Sequence, residues 1–374
     1  MSERFSLKDH LFNVEKVSYL AGLLEKAIAR FDRARFEASV LEKMPELELK
    51  QRIALIADVL GEHLDADFSR AAEQIRGALP PPLDPTLTDD DFGDFIFAPF
   101  GRYVENRGID HYDVSMDLLK ELTKRFSMEG SVRPFIDHRP DEAMRMFESW
   151  ARDDNYHVRR LVSESTRPAL PWAPRIGLDV RAPIPLLDIL HADPTRYVTR
   201  SVANHLNDLS KIDPGLVLES LDRWRLLADQ SPDELDWMTR HALRTLLKRG
   251  EPAAMRVLGY SPEARVRVGE IALASPVVCA GESLDFSVEV EAEADELVMV
   301  DYAIDFVKKN GERKPRVFKL KNLSLAGEQR TTLSKRHPLR SDATTYRLYP
   351  GRHRLSILIN GRESASTEFE VTTR

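Results

Sequence analysis

The chain has 374 residues, 42% of them hydrophobic and 31% charged, with a formal net charge of −7. This balance describes a soluble globular protein with room for two ordinary domains, and no apolar run reaches the ~20 residues of a membrane span. The single cysteine, Cys279, excludes an internal disulfide and a cysteine-rich zinc site, and Met1 to Ser6 lacks a signal-peptide apolar core. A cytoplasmic monomer with no metal or cofactor and no membrane association is the expectation. The acidic total argues weakly against a nucleic-acid partner, but a basic groove fits on an acidic molecule.

The first 79 residues read as helices. Ser6 to Phe12 is a short one, and Asn13 opens a longer one whose Val14, Val17, Leu20, Leu24 and Ile28 keep helical spacing. Asp32 to Met44, Leu49 to Leu64 and Ala71 to Leu79 follow, the last stopped by Pro80-Pro81-Pro82. A Pro- and Asp-rich loop covers 80–95, then Phe92, Phe95, Phe97 and Phe100 form an aromatic cluster assigned to core packing. Residues 111–127 form a helix with Val114, Leu118, Leu122 and Phe126 inward. Glu121 sits on the shoulder of that face, placed for an i,i+4 pair with Arg125 or for a role at a groove edge.

A repeat follows. Val158-Arg159-Arg160-Leu161-Val162, Val198-Thr199-Arg200-Ser201-Val202 and Met238-Thr239-Arg240-His241-Ala242 are each displaced by 40 residues, and Val132-Arg133-Pro134-Phe135-Ile136 is a looser echo. Two-helix units at this period indicate a HEAT-like α-solenoid. Ala143 to Arg152, Ile184 to His191 and Leu216 to Ala228 supply the first helix of successive units. The equivalent arginines Arg160, Arg200 and Arg240 are expected in a stripe, either contacting phosphate or bonding the neighbouring repeat. Asp154 is the expected N-cap of the first motif helix. Arg200, Asn204 and Asp208 share one face of the next, and Arg240, Arg244 and Lys248 give the third a cationic face suited to a phosphate backbone or to solvent.

After a last helical piece, Ala253 to Leu258, the spacing changes to alternation. Leu284, Phe286, Val288 and Val290 alternate with polar residues, as do Tyr302, Ile304 and Phe306, and Leu355, Ile357 and Ile359. Asn310-Gly311 and Asn360-Gly361 are hairpin turns, and Tyr349-Pro350-Gly351 resembles a tyrosine corner. Val266 to Asp301 is acidic. Lys308 to Arg354 is basic, with Lys308, Lys309, Lys335 and Arg336 as candidate nucleic-acid contacts. The expected fold is therefore multidomain: an all-α HEAT-like repeat solenoid over 1–258, a linker over 259–265, and an all-β immunoglobulin-like sandwich over 266–374.

The opening Phe5-Ser6-Leu7-Lys8-Asp9-His10-Leu11-Phe12-Asn13 resembles that of AlkC-type DNA glycosylases. So do His157-Val158-Arg159-Arg160-Leu161-Val162-Ser163-Glu164 with Arg167-Pro168 and Leu170-Pro171-Trp172, and Ser201-Val202-Ala203-Asn204-His205-Leu206-Asn207-Asp208. The resemblance covers roughly the helical part, and an immunoglobulin-like tail occurs in some members. It implies base excision repair of alkylated duplex DNA, with preference for cationic N3-methylated adenine and cytosine and without full base flipping.

A cationic base leaves without a general acid, so the remaining task is to stabilise an oxocarbenium-like sugar and direct a water to its anomeric carbon. With the resemblance, Glu121 is the first candidate carboxylate, Asp154 the second and Asp208 the third. Trp172 is the expected aromatic contact, and Tyr156, His157, Arg159, Arg160, Arg200, Asn204, Arg240, Arg244 and Lys248 the expected DNA-binding set. A non-enzymatic HEAT-like scaffold for nucleic acid or protein is the principal alternative; a carbohydrate-binding sandwich is another.

Overall fold

A computed structural model describes residues 6–86, 92–341 and 347–373. Phe5 of the opening motif and residues 87–91 of the expected loop lie outside the described residues. The chain divides into two compact units, Met1–Ala242 and Leu243–Arg374.

The N-terminal unit is helical: α1 (Leu7–Leu11), α2 (Val14–Ala27), α3 (Arg33–Leu41), α4 (Leu49–His63), α5 (Phe68–Ala78), α6 (Ala98–Arg107), α7 (Tyr112–Thr123), α8 (Glu129–His138), α9 (Pro140–Trp150), α10 (Tyr156–Ser165), α11 (Ile184–Leu190), α12 (Arg196–Leu209), α13 (Pro214–Leu227) and the start of α14 (Pro232–Lys248). Short polar side chains begin several of them. Asn13 accepts Lys16 N–H, Asp32 accepts Arg35 N–H, Asp67 accepts Arg70 N–H and Asp213 accepts Leu216 N–H, each at 3.0 Å. Such caps are worth about 1 kcal/mol apiece. Asp67 moves the start of α5 three residues ahead of the expected Ala71. Helix α7 stops at Thr123 rather than 127, because Arg125 O and Phe126 are drawn into backbone bonding with residues 92–94.

Helices α4, α6, α8, α10 and α12 form an inner row, each packed on the next, with α9, α11 and α13 laid against it. The 40-residue period has a physical counterpart. The apolar ends of the three motifs (Val158 and Val162, Val198 and Val202, Met238 and Ala242) are all essentially inaccessible. Each such Val contributes about 1.5–3 kcal/mol of burial.

Polar rungs join successive copies at matching positions. Arg159 reaches Asp193 at 2.5 Å and Thr199 reaches Glu234 at 2.5 Å; Ser201 reaches Glu164 at 2.6 Å and His241 reaches Asn204 at 2.8 Å.

The C-terminal unit holds the end of α14, α15 (Pro252–Val257) and β1 (Val266–Val268), β2 (Ala272–Leu273), β3 (Val277–Cys279), β4 (Ser283–Ala292), β5 (Glu296–Val307), β6 (Arg313–Leu325), β7 (Arg330–Pro338), β8 (Gly351–Ile359) and β9 (Arg362–Thr372). One sheet runs β1-β4-β2 with β7 on β4, the other β3-β9-β8-β5-β6, with β3 parallel to β9. The alternating positions of β4, β5 and β8 meet in one core. Asn310-Gly311 and Asn360-Gly361 turn the hairpins as expected. Gly250 and Gly361, both at positive φ, approach so closely that a Cβ on Gly361 would lie 2.2 Å from Gly250 Cα. Tyr260 is buried, and Asn360 Nδ2 donates to Ser261 O at 2.7 Å. Residues 243–261 are thus fastened to the sandwich.

Asp301 is 5% exposed, at the register shift of β5. Burial pushes its carboxyl up to about 6, against the pull of Lys319 and Lys248. An acid with a higher pKa folded than unfolded penalises the fold fully above about pH 6, and the penalty vanishes below about pH 4. Asp301→Asn is expected to stabilise this unit by on the order of 2 kcal/mol at neutral pH and not at about pH 4. Thermal unfolding at the two pH values checks this; the same gain at both, or none at neutral pH, contradicts it.

Candidate functional site

The site takes shape where α7 ends and α10 begins. Glu121, in the last turn of α7, accepts from Lys124 Nζ at 2.6 Å and Arg125 Nη1 at 3.3 Å. Burial alone raises its pKa, but those two cations outweigh it and hold the carboxyl below the usual glutamate range. The expected pair with Arg125 therefore forms, and Lys124 joins it. One residue before Glu121, Lys120 reaches Asp153 at 2.7 Å and lies over the Trp150 ring. Asp153 is also held ionised, Lys120 overcoming the burial that raises it. This pair brings the Glu121 segment beside Asp153-Asp154, 33 positions along the chain.

Asp154 is not the N-cap of α10. The helix starts one residue later than the sequence suggests, because Asn155 Oδ1 accepts His157 N–H at 2.9 Å while Asp153 Oδ1 accepts Asn155 N–H at 2.9 Å. That leaves the Asp154 side chain exposed, with no ion pair among the described residues. Its backbone is anchored: Arg159 Nη1 donates to Asp153 O at 2.8 Å and Asp154 O at 3.0 Å while the same guanidinium grips Asp193.

Arg160 departs from the expected surface stripe. It is 6% exposed, bonded to Ser127, 3.2 Å from Glu129 and 3.6 Å from Glu164. Its guanidinium lies 4.9 Å from the Tyr197 ring centre and 5.8 Å from that of Phe92. Burial opposes its charge, but Glu129 and Glu164 hold it above the ordinary arginine value. The cause is position: α10 is flanked in the row by α8 and α12, so a side chain off the apolar face still points into a neighbour. Arg200, in the equivalent slot, is half-buried, and Arg240 is exposed.

Tyr156 and His157, expected on the surface, are each 3% exposed and pack with Tyr197 at 5.8 and 5.5 Å between ring centres. Asp208, the third expected carboxylate, is 7% exposed and paired with Arg167 at 2.7 Å and Lys211 at 2.9 Å. Through Arg167 it joins Glu164, which Arg160 and Arg167 keep ionised despite burial. Near this network His205 is pushed down to about 4 by burial and by Arg167. Asp208 thus belongs to a buried inter-helix network, not to the surface that carries Asp154.

Trp172 is 80% exposed on the α10–α11 loop. The loop is fixed by Lys50 Nζ donating to Trp172 O at 2.9 Å and Arg133 Nε donating to Pro174 O at 3.0 Å. Asn204 is half-buried and bonded to His241.

In the C-terminal unit, Arg244 is half-buried and Lys248 exposed. The acidic and basic halves expected to polarise the sandwich interleave instead. Strand β7 lies beside β4, so Arg330 meets Glu291 at 3.2 Å and Arg336 lies 3.8 Å from Asp285. Lys308 and Lys309 line a cleft of about 540 Å³ with Lys314, Arg316, Arg347 and Tyr349. Tyr349 carries Arg347 over its ring rather than closing a buried corner. Lys335 and Arg336 line a second cleft beside β2.

The sequence reading missed Asp153, Lys120, Lys124 and Tyr197. Lys124 carried a signal, three residues after Glu121 at helical spacing; Lys120, adjacent to Glu121, and Tyr197 carried none.

Residues 267–373 match the family model described as "Uncharacterised protein YhaZ, C-terminal Ig-like domain". The chain is 32% identical to the uncharacterized protein YhaZ of Bacillus subtilis (strain 168) over 365 residues, 96% of this chain and 98% of that one. It is also similar to the solved structure of the Pseudomonas fluorescens alkylpurine DNA glycosylase AlkC bound to DNA containing an abasic site analog. The TM-score is 0.88 at 33% identity, covering 98% of this chain and 100% of the other.

Proposed function

Because the chain belongs to the family of YhaZ and the alkylpurine DNA glycosylase AlkC, we propose that it is a DNA glycosylase of alkylation repair. Its substrates are cationic N3-methylated adenine and cytosine in duplex DNA. The observation that supports the reading is the pair of ion pairs, Lys124 on Glu121 and Lys120 on Asp153, that sets the end of α7 beside the segment of the exposed Asp154.

The reaction needs only what these groups supply. The bond from C1′ to the base nitrogen breaks and its electron pair neutralises the cationic base. Positive charge develops on the sugar, and the two carboxylates stabilise it. A water adds to C1′, and its proton passes to a carboxylate. Asp154, held by backbone bonds from Arg159, has an oxygen available for that water. Glu121, fixed by Lys124 and Arg125, acts through its charge. Arg159 is a positioning residue. An exposed carboxylate, rather than one at the bottom of a cavity, suits attack on a nucleotide that stays in the duplex.

Trp172 supplies an aromatic contact, and Arg200 and Asn204 of α12 with Arg240 of α14 supply contacts to the backbone. Arg244, Lys248, Lys308, Lys309, Lys335 and Arg336 of the C-terminal unit supply further phosphate contacts, the protein acting as a cytoplasmic monomer. Replacing Lys308 and Lys309 with Ala is expected to lower the log–log salt slope of duplex binding by about 0.9 for each phosphate no longer neutralised. An unchanged slope takes that cleft out of the interface. Liberation of free methylated base from methylated duplex DNA tests the activity itself.

A further inference from the structure

The aromatic run 92–100 splits in a way its sequence conceals. Phe97 and Phe100 are buried and Phe95 packs tilted against Phe126 at 4.6 Å, but Phe92 is 47% exposed. It is not a loose side chain. Phe92 O accepts Ser127 N–H at 3.3 Å, and Asp94 N–H donates to Arg125 O at 3.2 Å. Between them Gly93, at φ +79°, bridges Phe126 so tightly that a Cβ would lie 1.8 Å from Arg125 O. Asp94 is further paired with Lys16. The segment is thus clamped to the turn that follows Glu121 and to α2.

The ring itself is seated. It meets Tyr197 at 5.8 Å in a T-shaped contact, and the buried Arg160 guanidinium lies 5.8 Å from its centre. Buried ion pairs hold that guanidinium in turn. One side of Phe92 is therefore supported by a rigid aromatic–cation cluster while the rest faces solvent, beside the turn that follows Glu121. A ring fixed in this way, with its outer side in water, can pack against a flat or apolar group without first losing conformational freedom.

We propose that Phe92 is a second aromatic contact for the nucleotide. It packs against the deoxyribose or base edge of the damaged nucleotide and holds C1′ in reach of Asp154 and Glu121. The contact takes no part in bond breaking, and the inference rests on the glycosylase reading above. Its chemistry is stacking, tolerant of base identity, with an added attraction for a base that carries positive charge.

The test uses the full-length protein and duplex DNA carrying N3-methyladenine, with Phe92→Ala and Phe92→Tyr compared with the unaltered chain. Single-turnover base release, duplex affinity and thermal unfolding are measured for each. Phe92→Ala is expected to slow release at saturating protein tenfold or more. Affinity for undamaged duplex and its salt slope stay within twofold, the melting temperature stays within a few degrees, and Phe92→Tyr restores most of the rate. Release by Phe92→Ala at the unaltered rate overturns the proposal while leaving the glycosylase reading intact. A loss that follows melting temperature in both variants overturns it too, making Phe92 a packing residue. No release by the unaltered chain overturns both.

Discussion

Glu121→Gln is expected to cut base release by a hundredfold or more while leaving the helical unit folded. The substitution removes one charge and almost no volume, so any loss reports on electrostatics. Removing one preorganised charge stabiliser costs about 10²–10³ in rate at other active sites. The fold survives although Lys124 and Arg125 are only 20% and 11% exposed, because Arg125 keeps its bonds to Pro80 O and Glu121 O and the Gln amide oxygen still accepts from both cations. The cations also fix the pH behaviour. They hold the folded carboxyl below its ordinary 4.5, so the ionised form persists as pH falls through the usual glutamate range. The difference in release between the unaltered chain and Glu121→Gln should therefore stay constant there and narrow only below it. Single-turnover release with circular dichroism checks both statements. Full activity in Glu121→Gln would return Glu121 to a structural pair with Lys124 and Arg125 and leave Asp154 as the candidate carboxylate.

Arg160→Ala is expected to destabilise the N-terminal unit by roughly 3 kcal/mol, at the lower end of the ~3–5 kcal/mol for breaking a buried ion pair. Glu164 keeps Arg167 and Ser201, but Glu129 is left with Ser127 and no cation and the Tyr197 ring loses its cation. For a unit of this size the melting temperature should fall by roughly 6–12 °C. Were Arg160 a phosphate ligand, stability would hold and the salt slope of DNA binding would fall by about 0.9. Thermal unfolding and salt-dependent binding on the same variant separate the two. An unchanged melting temperature with a lowered slope would contradict the role that its burial assigns.

The contrast between these residues shows what one-dimensional pattern carries. The helices, the 40-residue repeat and the switch to alternation at the sandwich follow from apolar spacing, and Val158, Val198 and Met238 are buried as that spacing requires. The hairpin turns at Asn310-Gly311 and Asn360-Gly361 follow from residues that tolerate positive φ. Exposure of polar side chains does not follow. Arg160, Arg200 and Arg240 occupy the same slot in their motifs, yet one is buried, one half-buried and one exposed, because that depends on the neighbouring helix and its acids. Asp154 and Asn155 are both good caps, and only the backbone bonds of Asp153 and Asn155 decide between them. The immunoglobulin-like charges looked segregated because β4 and β7 are far apart in sequence, although they lie side by side in the sheet. Phe92 differs from Phe97 through Gly93, whose backbone conformation is invisible in composition.

The most direct measurement is the fate of methylated bases. Duplex DNA containing N3-methyladenine or N3-methylcytosine is incubated with the purified full-length protein, and free bases and abasic sites are quantified by chromatography with mass detection. The account predicts that both cationic bases appear free, with one abasic site for each, and that unmodified duplex yields none. DNA bound with a normal salt dependence but with every methylated base still attached would contradict it.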